Sequence, residues 1–180
     1  DQITLKDIKV PVVAEGVTVS GKLVSYNPNY DVSVRLMQSG TEMYTATVAA
    51  PAAASGQAEQ SFSFASVAAG KYDLVVVKAA HLTYTVKNVE VGDMALDLTA
   101  MTGKSYQVIT LLCGDIDGNG FINSTDLGII LKGQNYGKST ATAGDKAADL
   151  DVNGFINSTD LGIVLQGQHY GKSAVSVNFG

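Results

Sequence analysis

Two stretches of this chain read almost alike, GDIDGNGFINSTDLG at 114–128 and ADLDVNGFINSTDLG at 148–162. The duplication runs further. Residues 115–138 recur at 149–172 with five differences: Ile116/Leu150, Gly118/Val152, Ile130/Val164, Lys132/Gln166 and Asn135/His169. Each copy opens on carboxylates and carboxamides at alternate residues. The first carries Asp115, Asp117 and Asn119, then Asn123 and Asp126; the second carries Asp149, Asp151 and Asn153, then Asn157 and Asp160. Hard oxygens at this spacing, on a loop short enough to curl, suit a hard divalent cation that takes six to eight oxygen ligands.

Counted from Asp115 or Asp149, side-chain oxygens fall at loop positions 1, 3, 5, 9 and 12. Glycine (Gly120, Gly154) occupies position 6 for the sharp turn, and position 7 (Phe121, Phe155) offers its backbone carbonyl. This is the spacing of the EF-hand calcium loop, and two loops imply two Ca2+ ions. Position 12 is Asp rather than Glu, so the arm is one methylene shorter and the loop must close more tightly. Ile122 and Ile156, at position 8, are expected to pair the two loops through a short strand contact. A lone loop of this kind reads equally well as a solvated Asx-rich turn; two with matching spacing favour calcium. A helical repeat array is excluded, because there are only two copies and the tetratricopeptide pattern is absent.

The remainder of the chain must hold these loops. Its 180 residues allow one sizeable domain or two small ones, and 46% hydrophobic content supports a packed core. Net charge is −5, and six of the 17 acidic residues are the loop aspartates. No basic cluster serves nucleic acid, and no apolar run is long enough to insert in a membrane. The single cysteine, Cys113, rules out an internal disulfide and reads as a small buried hydrophobe. Calcium use favours an extracellular or cell-surface setting for a secreted bacterial protein, since calcium is abundant there. Starting at Asp1 without Met, the sequence reads as an excised C-terminal piece of something larger.

Strand patterns fill the first half. In YDVSVRLMQSG, Val32, Val34 and Leu36 alternate with Ser33 and Arg35; QSFSFASV, GKYDLVVVKAA, LTYTVKNVEV and MALDLTAM follow, separated by glycine turns. The expected fold is an N-terminal all-β sandwich of about seven strands followed by a small α domain of two calcium-binding loop–helix repeats. Residues 1–14 read as a linker or first edge strand, and 49–59 as a loop. The strand-like SYQVITLLC at 105–113 enters the first loop without a spacer, so two touching domains are expected, 1–110 and 111–180. His81 lacks partners at ligand spacing and is expected at the surface or half packed; Tyr26, Tyr30, Tyr44, Tyr72 and Tyr84 are expected to pack the sandwich or its edges.

After each loop a short helix is expected, capped by Ser124 or Ser158. Leu127, Ile130 and Leu131, like Leu161, Val164 and Leu165, recur at i, i+3, i+4 and predict one buried face. Gly128 and Gly162 are unfavourable helix formers and are read as baring the surface for a partner. For Gly133 and Gly167, ending the helix and admitting a partner stand equal.

The order FSFASVAAGKYDLVV at 62–76 resembles the carboxypeptidase-regulatory-like β-sandwich over 15–100, with Ig-like sandwiches sharing most of its features. Paired calcium loop–helix units with Ser-Thr at positions 10 and 11 resemble the dockerin domain over 112–175. Together the chain looks like the X-module–dockerin dyad of a cellulosome-type, polysaccharide-degrading assembly. The resemblance implies a cohesin partner on a scaffoldin or cell-surface anchor, with the X-module as structural support. It also implies cohesin contacts at Ser124, Thr125, Gly128, Leu131 and Lys132, and at Ser158, Thr159, Gly162, Leu165 and Gln166. Ser-Thr in both copies is typical of enzyme-borne type I dockerins, whereas a fused X-module is more familiar on scaffoldins. The unbound chain is expected to be a monomer. Near-identity of the copies implies a pseudo-two-fold face able to dock in two orientations. A catalytic role finds no Ser/His/Asp or Cys/His set, and calcium spacing accounts for every clustered carboxylate. The competing reading is a carbohydrate-binding or adhesin-type surface module stiffened by calcium. The tail SAVSVNFG is expected to fold back near Cys113.

Overall fold

The computed structural model describes residues 15–27, 30–49 and 55–180; the expectations for 1–14 and for the middle of the 49–59 loop lie outside them. The strands are β1 (Val17–Tyr26), β2 (Val32–Gln38), β3 (Thr41–Ala46), β4 (Gln57–Val67), β5 (Gly70–Lys78), β6 (Ala80–His81) and β7 (Tyr84–Val91). The shorter β8 (Leu96–Asp97), β9 (Ile109–Thr110), β10 (Cys113–Asp115), β11 (Lys138–Ser139), β12 (Phe155–Ile156) and β13 (Val175–Asn178) follow, with helices α1 (Ser124–Leu131) and α2 (Ser158–Leu165).

Two sheets make the sandwich. In one, β1 pairs with β4 along its whole length, antiparallel, while β8 and β9 lie parallel to it on the other side. The other runs β13-β7-β5-β2-β3. Alternate residues point inward, as period-2 patterning requires. Val19 and Leu23 of the first sheet and Val34, Leu36, Leu74, Val76 and Val86 of the second are fully buried in one core. Tyr72 and Tyr84 are buried in that core, whereas Tyr30 is exposed.

Two expected strands are broken up. MALDLTAM yields only β8, because Asp97 accepts from Thr99 N at 2.9 Å and turns the chain into a 3-10 turn, Leu98–Ala100. SYQVITLLC yields β9 and β10, because neighbouring residues bond to different elements. Leu111 N donates to Val24 O (2.9 Å), whereas Leu112 O accepts from Leu82 N (2.8 Å). Here the chain passes from the sandwich core, which includes Leu111, to a second core of Cys113, Ile122, Ile130, Ala148, Leu150, Ile156, Ile163 and Val164.

The second core also takes Leu82 from the sandwich, and β6 pairs with β10 beside it. His81 is therefore buried rather than at the surface. Its Nε2 accepts from Tyr26 N at 3.1 Å and its Nδ1 donates to Ala79 O at 2.8 Å. Burial pushes its pKa down to about 3, so it is a neutral structural group. Cys113 is buried and free, and burial raises its thiol pKa well above the ordinary range.

The tail folds back, but onto the sandwich. β13 pairs in parallel with β7, from Val175↔Tyr84 to Asn178↔Lys87, and so runs away from the β6–β10 junction rather than across it. Val175, Val177 and Phe179 pack on the sandwich core, Phe179 stacks on Tyr106 (5.5 Å between rings), and the Tyr106 hydroxyl donates to Phe179 O. Deleting residues 174–180 removes three half-buried apolar side chains, about 3 kcal/mol, and is expected to lower the melting temperature by about 8 °C in a calorimetric scan. An unchanged value would mean that β13 contributes nothing to the sheet.

Candidate metal centres and partner face

Each loop curls around its own carboxylates. Gly120 N donates to Asp115 Oδ2 (3.0 Å), Asn119 N to Asp117 Oδ1 (3.1 Å) and Phe121 N to Asn119 Oδ1 (2.9 Å). The second loop repeats this with Gly154 N on Asp149 (3.1 Å), Asn153 N on Asp151 (3.1 Å) and Phe155 N on Asn153 (3.0 Å). The position-12 carboxylate closes the ring. Asp126 Oδ1 accepts from Ile116 N (2.7 Å) and Asp117 N (3.3 Å), and its Oδ2 from Asn123 N (2.8 Å). Asp160 does the same with Leu150, Asp151 and Asn157.

One carboxylate oxygen each from Asp115, Asp117 and Asp126 come within 4.8 Å of one another, as do those of Asp149, Asp151 and Asp160. Asp115 Oδ1 and Asp149 Oδ1 are buried without a hydrogen-bond donor. An orphaned buried oxygen beside two further carboxylates is costly, and a bound divalent cation offsets both the missing donor and the repulsion. The same strain shows in the acidities. Burial chiefly, then neighbouring carboxylates, raise the pKa of Asp115 and Asp160, against the opposing pull of backbone N–H donors. The residues present fit a hard cation.

The helix starts differ from the expected pattern. Asn123 and Asn157 are the N-caps, accepting from Thr125 N and Thr159 N (2.8 Å each), and Asp126 and Asp160 complete capping boxes. Serine is thus the first helical residue, not the cap. The Thr125 and Thr159 hydroxyls also donate to these Asn side chains, while no partner for the exposed Ser124 and Ser158 hydroxyls occurs among the described residues.

Nor do Ile122 and Ile156 pair with each other. β12 pairs with β11, the segment after α1, while Ile122 N donates to Lys172 O (2.9 Å), in the segment after α2. Each loop is laced to the far end of the other unit, which brings both isoleucine side chains into the shared core. The Phe121 and Phe155 side chains point outward, 57% exposed.

The buried helix stripe is narrower than its period implied. Ile130, Ile163 and Val164 are buried and Leu127 and Leu161 half-buried, but Leu131 and Leu165 are 53% and 50% exposed. Eight-residue helices end at those leucines, and Gly133 and Gly167 fall beyond them. A Cβ on Gly128 or Gly162 would meet nothing within 4 Å. Ser124, Gly128, Leu131 and Lys132, with Ser158, Gly162, Leu165 and Gln166, therefore form one solvent-facing strip per helix.

The sequence pattern missed two features. Tyr136 and Tyr170 are a second duplicated, exposed apolar pair, legible only as an unexplained repeat. Tyr26 leaves the sandwich to meet the second unit: its hydroxyl accepts from Gln166 Nε2 at 3.3 Å, and its ring meets His169 edge-on at 6.4 Å.

Comparison with known proteins agrees with this geometry. Residues 113–166 match the family model of the dockerin type I domain. Among solved structures, the chain is similar to the N-terminal interface mutant of a type II cohesin–X-dockerin complex from Acetivibrio cellulolyticus. The match is 27% identical with a TM-score of 0.65, covering 88% of this chain and 98% of that one. The C-terminal interface mutant of the same complex matches at 24% identity and TM-score 0.64 with equal coverage, a likeness of fold. No curated protein matches the chain. Dockerins and X-modules are non-catalytic module types, and no described helix is long and apolar enough to cross a membrane. Residues 113–166 are thus similar to the dockerin type I domain, and the described residues have the fold of an X-module–dockerin dyad.

Proposed function

We propose that this chain is a calcium-dependent plug that binds a cohesin and so fastens its parent protein into an extracellular polysaccharide-degrading assembly. The observation that carries the reading is the pair of duplicated, solvent-facing helix strips raised on loops whose innermost carboxylate oxygens lack a donor. Two Ca2+ ions would be held by Asp115, Asp117, Asn119, Phe121 O, Asn123 and Asp126, and by Asp149, Asp151, Asn153, Phe155 O, Asn157 and Asp160. The ions supply positive charge that lets six aspartates share a small fold, coupling metal binding to folding. Residues 1–110 act as the supporting module and 111–180 as the binding module, with β13 returning to the former. The parent is an enzyme or a scaffoldin, and the unbound chain is a monomer.

Within each strip the two hydroxyl residues divide the work. Thr125 and Thr159 brace the cap, whereas Ser124 and Ser158 keep free hydroxyls for the cohesin beside Leu131, Lys132, Leu165 and Gln166. Gly128 and Gly162 leave room for its backbone to approach closely. Gly128→Ala with Gly162→Ala separates binding from folding. Each alanine adds about 1 kcal/mol of helix stability, yet cohesin affinity is expected to fall at least tenfold in calorimetric titration against type I and type II cohesins. Unchanged affinity for both types would remove these strips from the interface. Alanine at Ser124/Thr125 or Ser158/Thr159 alone, against all four, reports whether both orientations are used.

A further inference from the structure

The five differences between the repeats are not scattered. Three of the second-copy residues lie against or beside a contact with the sandwich: Gln166 and His169 meet Tyr26, and Val152 follows Asp151, whose carbonyl accepts from Gly56 N at 2.5 Å. Their first-copy counterparts, Gly118, Lys132 and Asn135, make no hydrogen bond to the sandwich among the described residues. Asn135 instead serves its own unit, donating to Ile129 O (2.6 Å) and accepting from Asp145 N (2.9 Å).

Position 4 of the loop is the informative one. Gly118 has φ +72 and Val152 has φ +57. Glycine adopts that left-handed conformation freely, whereas a β-branched residue does so only when its surroundings impose it. The first loop thus closes without strain at this position, with Asp117 exposed; the second closes through a strained residue, with Asp151 half-buried. Two donors without counterparts in the first loop brace the second. The Gly56 N–H reaches the Asp151 carbonyl from the sandwich, and the Thr140 hydroxyl donates to the Asp149 carboxylate.

We infer that the turn at 55–56 of the sandwich is a positioning element for the second calcium loop alone, holding Val152 in the conformation that closes this loop around its ion. The inference rests on the calcium reading above. It makes the two sites inequivalent: the second takes its ion tightly only while this turn is in place, and the first, whose Asp115 is held through the β6–β10 pairing instead, is indifferent to the turn.

The test is a calcium titration of the full chain from the calcium-depleted state, followed by the amide resonances of Gly120 and Gly154, each reporting its own loop. Gly56→Pro removes the N–H donor and, because proline cannot adopt the φ +74 of Gly56, the turn that presents it. It is expected to weaken the site reported by Gly154 by about tenfold and leave that reported by Gly120 unchanged. Val152→Gly, which removes the strain, is expected to restore the lost affinity in the Gly56→Pro background. Gly118→Val should weaken the first site about tenfold, since nothing there braces it. Equal weakening of both sites by Gly56→Pro, no change at Gly154, or no rescue by Val152→Gly overturns the inference. Silence of both amides to calcium instead overturns the calcium reading itself.

Discussion

Asp126→Ala and Asp160→Ala are each expected to strip about 4 kcal/mol from the dockerin segment while leaving the sandwich sheets intact. Both carboxylates are fully buried, and each accepts from three backbone N–H groups that belong to its own loop and helix start. A buried donor left without an acceptor costs about 1–3 kcal/mol, and loss of a capping box about 1 kcal/mol more. Such a sum approaches the whole stability of a unit this small. Asp→Asn at either site keeps the shape and one acceptor oxygen, so a smaller loss is expected. Amide hydrogen exchange separates the modules. Ile122 and Ile156 report the second core, and Val34 and Val86 the sandwich. If Ile122 and Ile156 exchange no faster in the alanine variants, the position-12 carboxylates are not what closes the loops.

Removing calcium near neutral pH is expected to have the larger consequence, weakening of the fixed structure over 112–175 enough to abolish cohesin binding. The pH dependence of the calcium-depleted protein gives this a sign. Asp115 and Asp160 sit above the ordinary aspartate value of 3.8, first because of burial and then because of neighbouring carboxylates. A raised folded-state pKa means the fold holds the proton more tightly than the unfolded chain does. That contribution is full below about 3.8 and is lost as pH rises through the raised values. Depleted protein is therefore expected to melt higher near pH 4 than near pH 7. With calcium the order reverses, because the ion takes the proton's place and needs the ionised form. Asp97, whose pKa the Thr99 hydrogen bonds lower, acts in the opposite sense, but it lies in the sandwich, so the comparison is made on the second-core signals. Depleted protein whose second core melts higher near pH 7 contradicts the account.

The loops were legible because their carboxylates, carboxamides and glycine recur at fixed short spacings that curl the chain locally, and nothing distant alters that. The sandwich strands were legible for a similar local reason, the alternation of Val32, Val34 and Leu36. What escaped depends on contacts between distant segments. Leu131 continues the apolar period of α1, yet the helix ends there and its partner segment leaves it in water. Ile122 and Ile156 share a core, yet their backbones pair with the segments beyond the opposite helices. His81 takes one bond from nearby, to Ala79 O, but what buries it is distant: Tyr26 N on its Nε2 and the β6–β10 pairing. Ser124 reads as the cap and Asn123 is the cap, because both residue types cap helices and only the backbone angle at Asn123 decides.

The parallel pairing of β13 with β7 also sets an order of events in time. Tyr84 and Val175 are direct partners across the sheet, and the entire dockerin segment separates them along the chain. During synthesis the outer edge of β7 stays open until that segment has emerged and its loops have closed. Closing so long a connection is slow, and an unpaired strand edge is a template for unwanted association. An ion held by the loops would shorten the span that β13 must cross, so a chain that meets calcium early is expected to finish its first domain sooner.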